Sequence, residues 1–350
     1  MRDFEIAGKT VGRHMPPLVI AEMSGNHNQS LQRALDLVDA AAAAGAHAVK
    51  LQTYTADTLT IDCDRPEFRI SDPASPWCGR TLYELYQEAY TPWEWHEPIF
   101  ERARARGLIP LSTPFDAGAV ELLERLDAPC YKIASFESTD LSLIRLVART
   151  GKPVIVSVGM ATVAEIDDLV RAIRAEGCED IVLLKCTSTY PASPADSHLR
   201  TIPHLRELFD VQVGLSDHTL GIGVAVAAVA FGAAVIEKHF TLRRADGGVD
   251  AAFSLEPQEL AALAAETERA WQALGGVRYG PTTAERQSLV FRRSIFVTRD
   301  LRAGEALTAD NIRVIRPGQG LAPRHYPEVL GRLVTRDVKR GTPLAWELLA

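Results

Sequence analysis

From residue 18 to residue 276, short apolar runs alternate with longer stretches whose apolar positions return at helical spacing, which is the pattern of repeated βα units around a parallel sheet. The runs are LVIAEMS (18–24), AVKLQTY (48–54), LIPLST (108–113), CYKIAS (130–135), VIVSVG (154–159), IVLLKCT (181–187), VQVGLSD (211–217) and AVIEKHF (234–240). Between them stand SLQRALDLVDAAAAAG, DAGAVELLERLD, TVAEIDDLVRAIRAEG and PQELAALAAETERAWQALGG, several opening on Ser, Thr or Asp and closing on Gly, as helix capping requires. Eight such units in about 260 residues predict a closed TIM (β/α)8 barrel. A doubly wound open sheet is the competing arrangement, but no GxGxxG follows the first run, and eight regular units favour closure.

The pattern changes after Gly280. GPTTAERQSLVFRRS is polar, and from Ser294 to Ala350 short β-like runs (SIFVTRD, IRVIRP, RLVTRDVKRG) alternate with the turn signals AGE, PGQG and RGTP. We divide the chain into a barrel over 1–280, a linker over 281–293 and a small strand-rich domain over 294–350. Within the barrel, DCDRPEFRISDPASPWCGR (62–80) is too long and Pro-rich for a simple connection. It reads as a loop over the barrel mouth with Trp77 as a packing residue, or else as a surface excursion.

Composition narrows the function. With 47% hydrophobic and 24% charged residues among 350, the chain has the make-up of a globular protein with a large core. Its net charge of −7 argues against nucleic acid as the main partner, and no run is long and uncharged enough for a membrane span. The N-terminal residues lack an apolar signal-peptide core, and five cysteines at scattered spacings read as reduced thiols, so we expect a cytoplasmic protein.

Barrel chemistry gathers at the C-terminal ends of the strands. There the chain carries Glu22; Lys50 with Gln52; Ser112 with Thr113; Lys132 with Ser135; Ser157; Lys185; Asp217 with His218; and Glu237 with Lys238 and His239. His218 and His239 close neighbouring strands and are placed to share one divalent cation with open positions, a Lewis acid for a carbonyl. Each alone also fits a core or capping histidine. His27 has a weaker claim on the mouth, and His47, which precedes a strand, reads as structural. Lys50 and Lys132, with Lys185 or Lys238 adding to the field and the Thr113, Ser135, Ser157 and Ser188 hydroxyls nearby, suit a phosphate and a carboxylate. A lysine that forms a Schiff base is the rival reading. Glu22, Glu137, Asp217 and Asp250 would supply acid, base or orienting groups.

These residues carry a resemblance. AEMSGNHNQS, AGAHAVKLQTYTADTLT, LSTPFD, YKIASFE, VSVGMAT, CTSTYPA, GLSDHT, VIEKHFT and RPGQG are similar to the sialic acid synthase family, and GRTLYELYQEAYTPWEWH and KLQTYTADTLT most resemble its pseudaminic acid synthase branch. The resemblance spans nearly the whole chain. It implies a TIM barrel followed by an antifreeze-like (SAF) domain, and condensation of phosphoenolpyruvate with an aldose to a nine-carbon 2-keto acid and phosphate. It further implies Mn2+ or Mg2+ on His218 and His239, and phosphoenolpyruvate against Lys50, Lys132, Thr113, Ser135, Ser157 and Ser188. The position of Ser188 is usually Asn in the sialic acid branch. Glu22 would lie at the sugar, Gln52 would bind substrate, and Glu137 would lie at the attacking water. Tyr190 and Asp250 would bind sugar hydroxyl or amide groups, and Arg316 would reach the sugar in the partner subunit of a domain-swapped homodimer. The branch implies 2,4-diacetamido-2,4,6-trideoxy-altrose as the sugar, with the manno isomer that leads to legionaminic acid and N-acetylmannosamine as alternatives. A carbohydrate- or ice-binding protein without activity would account for the terminal domain alone.

Overall fold

The computed structural model describes residues 2–73 and 75–350, which form two compact units, residues 1–275 and 276–350. The first is the expected barrel. Its strands are β3 (Leu18–Glu22), β4 (Ala48–Thr53), β5 (Ile109–Pro114), β6 (Tyr131–Ile133), β7 (Val154–Ser157), β8 (Ile181–Cys186), β9 (Gln212–Asp217) and β10 (Val235–His239), every neighbouring pair parallel and β10 closing on β3. Seven lie inside the runs picked out by pattern and β5 extends one residue past its run, to Pro114, and the competing open sheet is ruled out by the β10–β3 pairing.

The N-terminus adds a hairpin that the pattern did not reveal, β1 (Phe4–Ile6) and β2 (Lys9–Val11). It turns at Ala7 and Gly8, both at positive φ (48° and 80°), the twist that suits a two-residue hairpin loop. Phe4, Ile6 and Val11 join Leu18, Ile20, Leu111, Ile155, Leu184 and Val235 in one apolar cluster that fills the lower barrel. Strand residues of the opposite parity, among them Val19, Val49, Leu51, Ile133 and Val156, belong to a second cluster shared with the surrounding helices. Strand parity therefore decides which polar side chains enter the mouth. Those two residues beyond an interior apolar position continue the inward series, and their sequence neighbours face the helices.

Helix starts follow the capping signals. Ser30 caps Leu31–Ala43, Asp116 caps Ala117–Arg125, and Thr162 forms a capping box with Glu165 at the start of Val163–Ala175. Among the described residues no helix is long and apolar enough to cross a membrane.

The second unit has its own core, including Ile295, Val297, Leu307, Ile312, Val334 and Leu344, under an antiparallel pair, β11 (Ser294–Val297) and β12 (Ile312–Ile315). The third expected run, around Leu333 to Arg340, makes isolated bridges only, such as Leu301 with Val338. Arg316 follows β12 and is exposed. In the same turn, a side chain on Gly320 would meet the Ile295 carbonyl oxygen at 2.3 Å, so only glycine fits. The expected linker begins this unit. Ala284–Phe291 is a 3₁₀ helix, and the Val290 carbonyl accepts from Gly318 N at 2.8 Å.

Candidate active site

Above the apolar filling, four charged side chains with almost no solvent exposure meet at the mouth. Lys50 Nζ lies 2.6 Å from Glu22 Oε2 and 3.7 Å from Glu237 Oε1, and Lys132 Nζ lies 3.3 Å from the same Glu237 oxygen. Lys50 also donates to Thr113 Oγ1 at 3.2 Å, and Gln52 Nε2 donates to Glu22 Oε1 at 2.9 Å and to Ser24 Oγ at 3.1 Å. Burial drives the Glu22 carboxyl up, Lys50 draws it down and Glu237 raises it again, leaving it at about 7. Burial also opposes the Glu237 charge, but Lys132 and Lys50 outweigh it and hold that carboxyl below its ordinary range. For Lys50, burial works against the ammonium, yet Glu22 and Glu237 more than compensate and keep it charged. An imine-forming amine needs the opposite arrangement. Glu137 stands at the end of the 3₁₀ turn Ser135–Glu137 after β6, and burial, opposed by Lys132, lifts its carboxyl to about 7.

The two histidines come together as their strand ends predict, with ring centroids 5.4 Å apart. His218 Nδ1 faces the Thr187 carbonyl at 2.9 Å, which makes it the protonated nitrogen and leaves Nε2 as a lone-pair donor; the Cys186 sulfur is a longer contact at 3.9 Å. Burial lowers the proton affinity of His218, but Cys186 and the Thr187 carbonyl outweigh it; a cation at Nε2 would replace that proton. His239 is pushed well below its usual range by burial, then by His218 and the lysines, so its imidazole is neutral. Its Nδ1 has no hydrogen-bond partner among the described residues and lies 3.7 Å from Asp250 Oδ2. Asp250 in turn accepts a short hydrogen bond from Ser24, and burial, opposed by Ser24, raises its carboxyl. Among the described residues no three His, Cys, Asp or Glu side chains form a closed metal cage. Two convergent imidazoles with unused nitrogens fit a cation only if other oxygens complete its shell.

Beyond Cys186, on the side of His218 toward β8 and β7, hydroxyls crowd around Gly159. Gly159 N donates to Ser135 Oγ at 3.2 Å, and Ser188 Oγ lies 3.7 Å from Cys186 Sγ. A Cβ on Gly159 would come within 2.3 Å of Ser188 Oγ and 2.9 Å of Ser135 Oγ, so glycine is what allows both hydroxyls to converge. The buried atoms Ser157 Oγ, Glu137 Oε2 and Glu237 Oε2 have no partner among the described residues, which marks a surface shaped for a polar ligand.

An aromatic wall stands over the histidines. Tyr190 lies 4.3 Å from the His218 ring, Phe253 is 5.0 Å from His239, and Trp77 is 5.7 Å from Tyr190. Trp77 also donates from Nε1 to the Val249 carbonyl at 2.8 Å, tying the 62–80 segment, whose residue 74 lies outside the described residues, to the loop after β10. The packing role expected of Trp77 is what the structure gives it.

Several strand-end residues do not reach the mouth. Ser112 has outward parity and bonds Thr53, which also contacts His96. Lys185 turns back onto the Cys186 carbonyl (2.7 Å) and Thr187 (3.1 Å), and Lys238 pairs with Asp217, so neither lysine adds to the anion field and Asp217 is no acid or base there. His27 contacts Thr91 and stands edge-on to Trp95, while His47 accepts from Val19 N, a structural role for each. The inward set Glu22, Lys50, Gln52, Thr113, Lys132, Ser157, His218 and His239 is where the strand pattern put it, joined by Ser135, Glu137, Ser188, Tyr190 and Asp250 from the loops. Glu237 was not assigned a role at the mouth, and Ser24, Cys186 and Phe253 were not recognised. Glu237 and Cys186 precede His239 and Ser188 by two residues, and that spacing was the available signal.

The sequence matches the NeuB family over residues 37–279 and the SAF domain over residues 292–350. It is 44% identical to a pseudaminic acid synthase of Campylobacter jejuni over 93% of this chain and 94% of that protein. It is 36% identical to an N,N'-diacetyllegionaminic acid synthase of Legionella pneumophila over 97% and 96%. A crystal structure of N-acetylneuraminic acid synthetase from Leptospira borgpetersenii superposes with a TM-score of 0.73 at 30% identity, covering 82% of this chain and 95% of that one.

The crowding at Gly159 makes a prediction. Gly159→Ala should push Ser135 and Ser188 apart and weaken binding of inorganic phosphate by about tenfold or more, roughly 1.4 kcal/mol, in a calorimetric titration. Unchanged binding would place the anion elsewhere.

Proposed function

We propose that this chain, which belongs to the NeuB family, is a pseudaminic acid synthase that condenses phosphoenolpyruvate with 2,4-diacetamido-2,4,6-trideoxy-altrose and water, releasing pseudaminic acid and phosphate. The observation that carries the reading is the juxtaposition of a lysine and hydroxyl wall with two convergent neutral-capable imidazoles in one buried mouth. The first suits the phosphate and carboxylate of phosphoenolpyruvate, the second a carbonyl that must be polarised. Closer identity to the pseudaminic than to the legionaminic relative favours the altrose sugar. The Trp77, Tyr190 and Phe253 wall suits a deoxy, acetamido-bearing ring better than one rich in hydroxyls.

His218 Nε2 and His239 would hold a divalent ion, Mn2+ or Mg2+, which when bound supplies Lewis-acid polarisation of the sugar aldehyde. Lys50 and Lys132, with Thr113, Ser135, Ser157 and Ser188, hold phosphoenolpyruvate so that its C3 faces that aldehyde, replacing a collision of two solutes by a fixed geometry. As the C–C bond forms, positive charge develops at C2, and ionised Glu237 offers it a fixed negative charge without solvent reorganisation. Glu137 takes a proton from the water that adds to C2, and the tetrahedral product collapses by breaking C–O, so the bridging oxygen leaves with phosphate. Glu22, poised near neutrality beside Gln52, exchanges a proton at the former aldehyde oxygen. Tyr190 and Asp250 contact the sugar's polar substituents.

In this reading Arg316 reaches the sugar of a partner subunit in a domain-swapped homodimer. The division of the chain into a barrel and a separate terminal unit suits such an exchange, and the unpaired, scattered cysteines suit a reducing cytoplasm.

The decisive assay follows phosphate release from phosphoenolpyruvate with each of the three candidate sugars, in EDTA and with added Mn2+. Release should require metal and the altrose derivative, and His239→Ala should abolish it. Release with a manno sugar would overturn the branch, and silence with all three would overturn the condensation. Because Glu137 must be unprotonated to act, kcat/KM should rise with pH through about 7, and Glu137→Gln should remove that limb and lower kcat by about 10²- to 10⁴-fold. A variant with the wild-type profile would assign the water to another base. Mixed dimers of Arg316→Ala and Glu22→Ala subunits should regain part of the activity; no recovery would return Arg316 to its own barrel.

A further inference from the structure

The backbone ladder between β9 and β10 stops one residue short of the two histidines. Its last partners are Asp217 and Lys238; beyond them β10 pairs with β3 through His239 and Glu22, the His239 carbonyl accepts from Leu255 N at 2.8 Å and the His218 carbonyl from Ala192 N at 3.0 Å, and among the described residues no backbone hydrogen bond joins the two strand ends to each other. At that point a cross-strand ion pair takes over on the outer face. Lys238 Nζ donates to Asp217 Oδ2 at 2.9 Å and to the Thr219 carbonyl at 2.6 Å, while Thr219 N donates to Asp217 Oδ1 at 2.9 Å. Lys238 thus grips the residues on both sides of His218 while its own successor is His239. Both members are buried, Lys238 with 1% and Asp217 with 3% of its surface exposed.

Stability does not explain the pair, since two charges out of water gain little over apolar side chains of similar volume. What the pair adds is direction, fixing the sideways spacing of two strand ends where peptide hydrogen bonds no longer do so. We propose that Asp217 and Lys238 are positioning residues that set the separation of the His218 and His239 imidazoles for a divalent cation. This inference rests on the metal reading above.

The test is a Mn2+ titration of the full chain without substrates, following the paramagnetic resonance of the free ion. Asp217→Asn combined with Lys238→Met removes both charges and leaves no ammonium unpaired. It should fold cooperatively and bind Mn2+ about 10- to 100-fold more weakly, the loss usual for groups that orient metal ligands, with little change in the KM for phosphoenolpyruvate. A folded double variant with wild-type Mn2+ affinity overturns the proposal. Asp217→Glu keeps both charges but lengthens the link by one methylene, and should also weaken Mn2+ binding. If the double variant does not fold, a folded Asp217→Glu protein with wild-type affinity overturns the proposal instead. Wild-type protein that binds Mn2+ no better than His239→Ala would remove the metal reading itself, a different failure.

Discussion

Glu237 lies between two ammonium groups, and the mouth is organised around that contact. Lys132 at 3.3 Å and Lys50 at 3.7 Å keep the carboxylate charged against burial, and Glu237 and Glu22 together keep Lys50 charged. None of these groups would be stable there alone, because each isolated ion costs several kcal/mol to remove from water. Together they form a rigid polar layer on an apolar floor, in surroundings that strengthen every charge interaction with a ligand. Two other carboxyls at the mouth, Glu22 and Glu137, are pushed up to about 7 because their burial is only partly offset by lysine. Fixed charge and exchangeable protons are thus supplied by different members of one cluster.

Strand parity is the constraint that builds the layer. Every second residue of β4 faces inward, so Ala48 belongs to the floor, Lys50 to the charge cluster and Gln52 to the layer above it, bonded to Glu22 and Ser24, with no change of backbone course. In β10 the same rule gives Val235 to the floor and Glu237 and His239 to the mouth, while Lys238 between them is turned outward to Asp217. The chemistry alternates with its own scaffold along a single strand.

Much of this was legible beforehand. Eight apolar runs, each ending in polar residues, predict both closure of the barrel and the side of it that holds the site, because those residues have nowhere else to be useful. What the runs did not convey was parity at their ends, where apolar alternation has already stopped; Lys185, Asp217 and Lys238 were therefore read as mouth residues although they face the helices. Loop contributions were less visible still. Ser24 meets Asp250 across 226 positions, and Trp77 meets Val249 across 172, contacts that depend on closure of the barrel and leave no local period. The N-terminal hairpin was hidden for a similar reason, being three residues on each side of its turn, too short to show alternation against the background.

In the proposed reaction this mouth joins two substrates by attack from C3 of phosphoenolpyruvate and then breaks the C–O bond. Phosphoenolpyruvate carrying heavy oxygen at the atom bridging C2 and phosphorus tests it directly, with both products weighed by mass spectrometry after a single turnover. The label should appear in inorganic phosphate, with the keto oxygen of the nine-carbon acid derived from water. Label retained in the sugar acid would mean P–O cleavage and would contradict the roles assigned to Glu137 and Glu237.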